Sequence, residues 1–208
     1  DSTFAIAGYT AKGQRQVPVF EVSNPAFYKA RSIHWSKKDV ILVTGGAKGI
    51  TAECALEFAR ATQAKMVLLG RSAKDEEIKK TLERFNAEKL VCEYFSCDVT
   101  NVAQVKQIVK DIEKEFGQIT AVIHGAGLNS LRRLKQANLE DVHKEALPKV
   151  MGAAHVLDAL EGRPLKLFAA MASIIGVTGM EGSGWYGFAN ETLIQYLRQY
   201  KKAHRNIE

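Results

Sequence analysis

Val40-Ile41-Leu42-Val43-Thr44-Gly45-Gly46-Ala47-Lys48-Gly49-Ile50 is the stretch on which the fold turns. Its first four residues form an unbroken apolar run, the pattern of a strand buried on both faces. Glycines follow at once. Behind them Ile50, Cys54 and Phe58 recur every four residues, with Ala55 and Ala59 beside them, as one face of a helix. A glycine turn between strand and helix leaves the first helical N–H groups open and lets a phosphate approach the backbone closely.

The same alternation continues outward. Met66–Leu69 is strand-like and stops at Gly70; Ile78, Leu82 and Phe85 make a helical face. Leu90–Phe95 is a third strand, followed by a strongly periodic helix from Val102 to Phe116. Ile119–His124 is a fourth strand. A helical region then carries Val142, Ala146, Val150 and Leu157, with a kink expected at Pro148. Leu165–Met171 is a fifth strand, and Leu193, Ile194 and Leu197 mark a last helix that runs out near His204. Strands and helices alternating so strictly predict an α/β fold with a doubly wound parallel sheet and helices on both faces.

Residues 1–36 lack this order. They hold two of the four prolines, Pro18 and Pro25, and one short strand candidate, Val17–Val22, where Pro18 implies an edge or a strand start. The division expected is 1–36 as a tail or the end of a preceding structural subdomain, and 37–208 as the catalytic domain.

Composition narrows the class. Of 208 residues, 46% are apolar and 25% charged, the balance of a folded protein in water. No apolar run approaches 18 residues, so no membrane span is expected. The three cysteines, Cys54, Cys92 and Cys97, have neither paired nor zinc-ligand spacing, which fits a reducing, cytoplasmic setting and no metal. The net charge of +6 is scattered rather than gathered in a stripe interleaved with aromatics. Nucleic acid is therefore disfavoured, and a solvated surface together with an anionic cofactor or acidic carrier explains the charge at least as well.

Thr44-Gly45-x-x-x-Gly49 resembles the T-G-x-x-x-G-x-G turn of the short-chain dehydrogenase/reductase superfamily, with Thr51 in place of the last glycine. That substitution puts close packing at the start of the helix in question. Thr44, Gly45, Gly46, Lys48, Gly49 and Ile50 would then form the cofactor turn. An acidic residue closing the second strand would bond a ribose 2′-hydroxyl and repel a 2′-phosphate; here Arg71 and Ser72 stand there, with Lys48 nearby, which favours NADPH. Asp98-Val99 resembles the adenine-contacting pair of the superfamily, and His124-Gly125-Ala126-Gly127 its turn beneath the cofactor. His124 is expected to pack or to bond backbone rather than to catalyse.

Ser173 closes the fifth strand, Tyr186 follows 13 residues later, and Asn190 stands four residues beyond Tyr186, on the same helical face. The superfamily's usual Tyr-x-x-x-Lys is absent. Its lysine has a substitute in Pro148-Lys149-Val150-Met151-Gly152-Ala153, 24 residues before Ser173. This exchange of Lys and Asn resembles the ketoreductase domains of polyketide synthases and related multifunctional fatty-acid synthases. The glycine turn is most similar to those of the polyunsaturated and enediyne-type synthases.

The resemblance, over residues 38–208, implies a Rossmann-like fold and NADPH-dependent reduction of a β-ketoacyl chain carried by an acyl carrier protein among neighbouring synthase domains. Tyr186 would donate a proton, Ser173 bond the carbonyl oxygen, Lys149 favour the phenolate, and Asn190 keep Lys149 or a relay water in place. The motifs that report alcohol configuration do not match: Asn129-Ser130-Leu131 follows the fourth strand, Thr178 lies eight before Tyr186, and Trp185 adjoins it. Such folds continue with a further strand and a lid, so the sheet is expected to lack its last strand and the 208 residues to fold marginally alone. A free-standing reductase of small carbonyls and a catalytically silent scaffolding domain remain alternatives.

Overall fold

The computed structural model describes residues 7–17, 19, 32–130, 136 and 138–208. Near the N-terminus β1 (Gly8–Tyr9) and β2 (Arg15–Gln16) form a two-residue antiparallel hairpin. The expected strand at Val17–Val22 lies largely outside the described residues. Residues 32–36 lead into the main sheet: Trp35 meets Phe58 edge-on at 5.1 Å, and the His34 carbonyl accepts from Lys166 Nζ at 2.9 Å.

Five parallel strands make that sheet: β3 (Val40–Thr44), β4 (Lys65–Gly70), β5 (Cys92–Ser96), β6 (Ile119–His124) and β7 (Leu167–Ala170), in the order β5-β4-β3-β6-β7. The chain starts at the centre, runs outward on one side, then returns to build the other. The carboxyl ends of β3 and β6 therefore part company around one crevice, the place where such sheets bind ligands.

The apolar run of β3 is buried on both sides because each face has its own layer. Val40 and Leu42 join Val67, Leu69 and Val122 on one face; Ile41 and Val43 join Met66, Leu68 and Ile123 on the other. Helices α1 (Gly49–Thr62) and α2 (Glu76–Ala87) cover the second face through Leu56, Ala59, Ile78 and Phe85. Helices α3 (Val102–Phe116), α4 (Leu139–Ala159) and α6 (Gly184–Ala203) cover the first through Val109, Ile112, Val156, Leu157 and Leu197. A one-turn helix, α5 (Ile175–Thr178), lies between β7 and α6. Helix α4 runs unbroken through the buried Pro148, which removes one backbone donor without ending the helix.

Asp39, just ahead of β3, ties this frame together. Its carboxylate accepts from the Ser36 N–H (2.8 Å) and the Thr120 hydroxyl (2.8 Å) and pairs with Lys166 (2.6 Å). At the outer edge of β7 the last residue takes up the next ladder position. The Glu208 N–H donates to the Lys166 carbonyl (3.0 Å), and the Glu208 carbonyl accepts from the Phe168 N–H (2.7 Å).

Candidate active site

The crevice at the carboxyl ends of β3, β4 and β6 is a cleft of about 370 Å³. Gly45, Lys48 and Gly49 wall it from the glycine turn, Arg71 and Ser72 from the end of β4, and Val99 from the loop after β5. Gly125, Ala126 and Gly127 close it beneath. Of the residues assigned to the cofactor from sequence, Thr44, Gly46, Ile50, Asp98 and His124 do not line the cleft. Ile50 is 78% exposed, and Asp98 turns its carboxylate back on the N–H and hydroxyl of Thr100, at 2.9 and 2.8 Å. Thr44 and His124 are buried behind the cleft wall.

Backbone closeness shapes the cleft floor. Gly45 has φ +65°, and a Cβ there would stand 2.8 Å from the Gly125 carbonyl group. A Cβ on Gly125 would in turn stand 2.2 Å from the Thr51 hydroxyl oxygen. Thr51 thus occupies space that Gly125 vacates, and the departure from the glycine pattern is compensated across the cleft. Sequence reasoning passed over this pairing, although Gly125 was visible in the motif after β6.

Helix α1 starts at the cleft without a side-chain cap: Lys48 is the N-cap residue and bonds none of the first-turn N–H groups. By contrast Asp75, Asn101 and Asn138 cap α2, α3 and α4 through side-chain oxygens. Open N–H groups, glycines that admit close approach and Arg71 beside them fit the phosphates of a dinucleotide.

Behind the floor runs a short relay. The Ala126 N–H donates to Thr44 Oγ1 (3.3 Å), Thr44 Oγ1 meets His124 Nδ1 (2.7 Å), and His124 Nε2 meets the Lys149 carbonyl (2.9 Å). A carbonyl can only accept, so Nε2 carries the proton and Nδ1 accepts from the threonine. Burial holds the His124 imidazole down to about 4, and the Lys149 ammonium pushes in the same direction. His124 is a neutral brace, as its position in the sequence suggested.

Lys149 is 4% exposed, and burial lowers the pKa of its ammonium. Its Nζ donates to the Met171 carbonyl at 2.7 Å, stands 5.8 Å from the centroid of the Tyr186 ring, and lies against Gly127. Lysine and tyrosine, 37 positions apart in sequence, thereby share one corner, two residues from Ser173. The Ser173 Oγ accepts from the Ile175 N–H (3.3 Å), which orients the loop leading to α5.

Asn190 does not bond Lys149 directly. Its Nδ2 donates to the Tyr186 carbonyl (2.7 Å), one turn back on α6. The side chain is fully buried, and its Oδ1 has no partner among the described residues. Sequence reasoning also missed the Met171 carbonyl, which no side-chain pattern announces, and Tyr94, whose hydroxyl donates to the Ser72 carbonyl (2.7 Å) beside the cleft.

A family model described as the KR domain matches residues 40–205, from the first strand of the sheet through the helix bearing Tyr186. The chain belongs to the ketoreductase, or KR, domain family. Among its relatives is the polyketide synthase PksN of Bacillus subtilis, 32% identical over 163 residues, which are 78% of this chain and 3% of that protein. The KR domain also superposes on solved ketoreductases. One is an N-terminal ketoreductase from the macrolactin assembly line (TM-score 0.80, 25% identity, 93% of this chain and 38% of that one). Another is a ketoreductase domain from the bacillaene assembly line (TM-score 0.80, 26% identity, 96% and 48%). The five-stranded parallel sheet is that of the short-chain dehydrogenase/reductase superfamily. Among the described residues no helix is long and apolar enough to cross a membrane.

Proposed function

We propose that this chain reduces a β-ketoacyl thioester, carried on the phosphopantetheine arm of an acyl carrier protein, to the β-hydroxyacyl form with NADPH. It would do so beside neighbouring domains of a polyketide or fatty-acid synthase. The observation that carries the proposal is the corner shared by Tyr186, Lys149 and the end of β7, next to a cleft whose floor fits a dinucleotide. Bound there, the nicotinamide would supply hydride to the carbonyl carbon. Negative charge then develops on the carbonyl oxygen, which the Ser173 hydroxyl would bond and the Tyr186 phenol would protonate. An ammonium beside a phenol favours its ionised form and so eases proton donation. Lys149 is held for that work by the Met171 carbonyl at its Nζ and by His124 at its backbone. Arg71, closing β4 where a carboxylate would reject a 2′-phosphate, supports NADPH as the reductant.

The test is consumption of NADPH with a β-ketoacyl thioester by the wild-type chain and by Tyr186→Phe. The variant should lose about 10²-fold or more in kcat while its affinity for NADPH survives. Unchanged turnover overturns the assignment. Activity confined to free ketones would indicate a reductase of small carbonyls, and failure to bind NADPH a silent domain.

A further inference from the structure

Two cations flank the cleft where β4 ends, and they are not equivalent. Among the described residues Arg71 has no ion-pair partner. Lys48 instead reaches across to the start of α2, where its Nζ stands 2.5 Å from Asp75 Oδ2 and 3.1 Å from Glu77 Oε2. The two carboxylates raise the Lys48 ammonium, and Lys48 lowers the Asp75 carboxyl. Asp75 divides its oxygens between two tasks, since Oδ1 accepts the capping bond from the Ile78 N–H (3.0 Å) while Oδ2 takes Lys48. A phosphate arriving beside Arg71 therefore meets one free cation and one already claimed by two carboxylates.

We propose that Asp75 and Glu77 are specificity-determining residues: by holding Lys48 on α2 they withdraw it from the ribose 2′-phosphate and leave Arg71 to distinguish NADPH from NADH. The inference rests on the dinucleotide reading of the cleft. The four side chains sum to zero charge, so the 2′-phosphate gains less here than two unpaired cations would give it. Lys48, Asp75 and Glu77 are all partly exposed, so their pairing is screened by water and salt and can be exchanged for a phosphate contact. NADH carries no group at that place and should be indifferent to the arrangement.

The experiment measures dissociation constants of NADPH and NADH by nucleotide fluorescence, with circular dichroism to confirm folding. The variants are Asp75→Asn with Glu77→Gln, Arg71→Gln, and Lys48→Met in both backgrounds. Asparagine keeps an Oδ1 for the Ile78 N–H, so the cap of α2 survives. The carboxylate double variant should tighten NADPH by about fivefold at low salt and move NADH by less than about twofold. Adding Lys48→Met should cancel most of that gain, whereas Lys48→Met alone, which leaves Asp75 and Glu77 without their cation beside the cleft, should weaken NADPH and leave NADH little changed. Arg71→Gln should weaken NADPH by about tenfold. An unmoved NADPH-to-NADH ratio in the carboxylate variant, or weaker NADPH binding, overturns the inference even where Arg71→Gln behaves as expected. A wild-type chain that binds neither nucleotide overturns the dinucleotide reading and this inference with it.

Discussion

His124 makes the stability of this domain depend on pH in a way that can be worked out from its surroundings. The imidazole is 1% exposed, with Nδ1 committed to the Thr44 hydroxyl, Nε2 to the Lys149 carbonyl, and the Lys149 ammonium nearby. An unfolded histidine takes up a proton near 6.5, whereas this one waits until about 4. Between those values the unfolded chain binds more protons than the folded one, so stability falls as the pH falls. Linkage over that gap comes to about 2 kcal/mol lost between pH 7 and pH 5, and about 3 kcal/mol by the time the folded form is itself protonated. For a chain of this size the urea midpoint should drop by about 1 M between pH 7 and pH 5 from this group alone. The control is His124→Gln, which keeps an amide in place of the ring and cannot titrate; His124→Asn serves if glutamine does not fold. Urea titrations at both pH values should show the wild-type chain losing about 2 kcal/mol more than the variant. Equal losses in the two proteins would refute the reasoning, because His124 would then not be the group that binds the proton.

Two further outcomes follow from the contacts. Gly125→Ala puts a methyl 2.2 Å from the Thr51 hydroxyl oxygen and should cost about 2 kcal/mol, read as a lower Tm. Adding Thr51→Gly should return much of it; a harmless single variant, or a double variant no better than the single, would show that the two positions do not compete for space. The thiols should also separate by reactivity. Burial raises Cys92 to about 12 and Cys97 to about 11, whereas Cys54 is exposed. Limited alkylation at pH 8 followed by peptide mapping should find Cys54 labelled first, and early labelling of Cys97 would contradict the packing described.

The sheet was legible because its signals are local. An apolar run such as Val40–Val43 announces a strand covered on both faces. The recurrence of Ile50, Cys54 and Phe58 announces helix α1 but not its core face, because the structure turns Ile50 and Cys54 to solvent and buries Ala52, Ala55, Leu56 and Ala59. The spacing of Ser173 and Tyr186 drew them out as candidates, and the structure sets Tyr186 beside Lys149. Asp98 and Asn190 were expected to serve the site, but in the structure their side chains bond Thr100 and the Tyr186 carbonyl. Short-range geometry settles those bonds: a carboxylate two residues from an N–H, or an amide one helical turn from a carbonyl, finds its partner before anything distant arrives.

What residue order alone determined was therefore the alternation of strand and helix, the glycine turn and the residue types later gathered around the cleft. Which groups meet was decided by the strand order β5-β4-β3-β6-β7, which puts β3 beside β6 and parts their following loops around one cleft. Only that order sets Gly125 against Thr51, lifts Lys149 to the Met171 carbonyl and brings Lys48 within reach of Asp75. Periodicity and turn chemistry are written into neighbouring residues, but a contact between positions 27 or 74 apart exists only once the sheet has been assembled and both its faces covered.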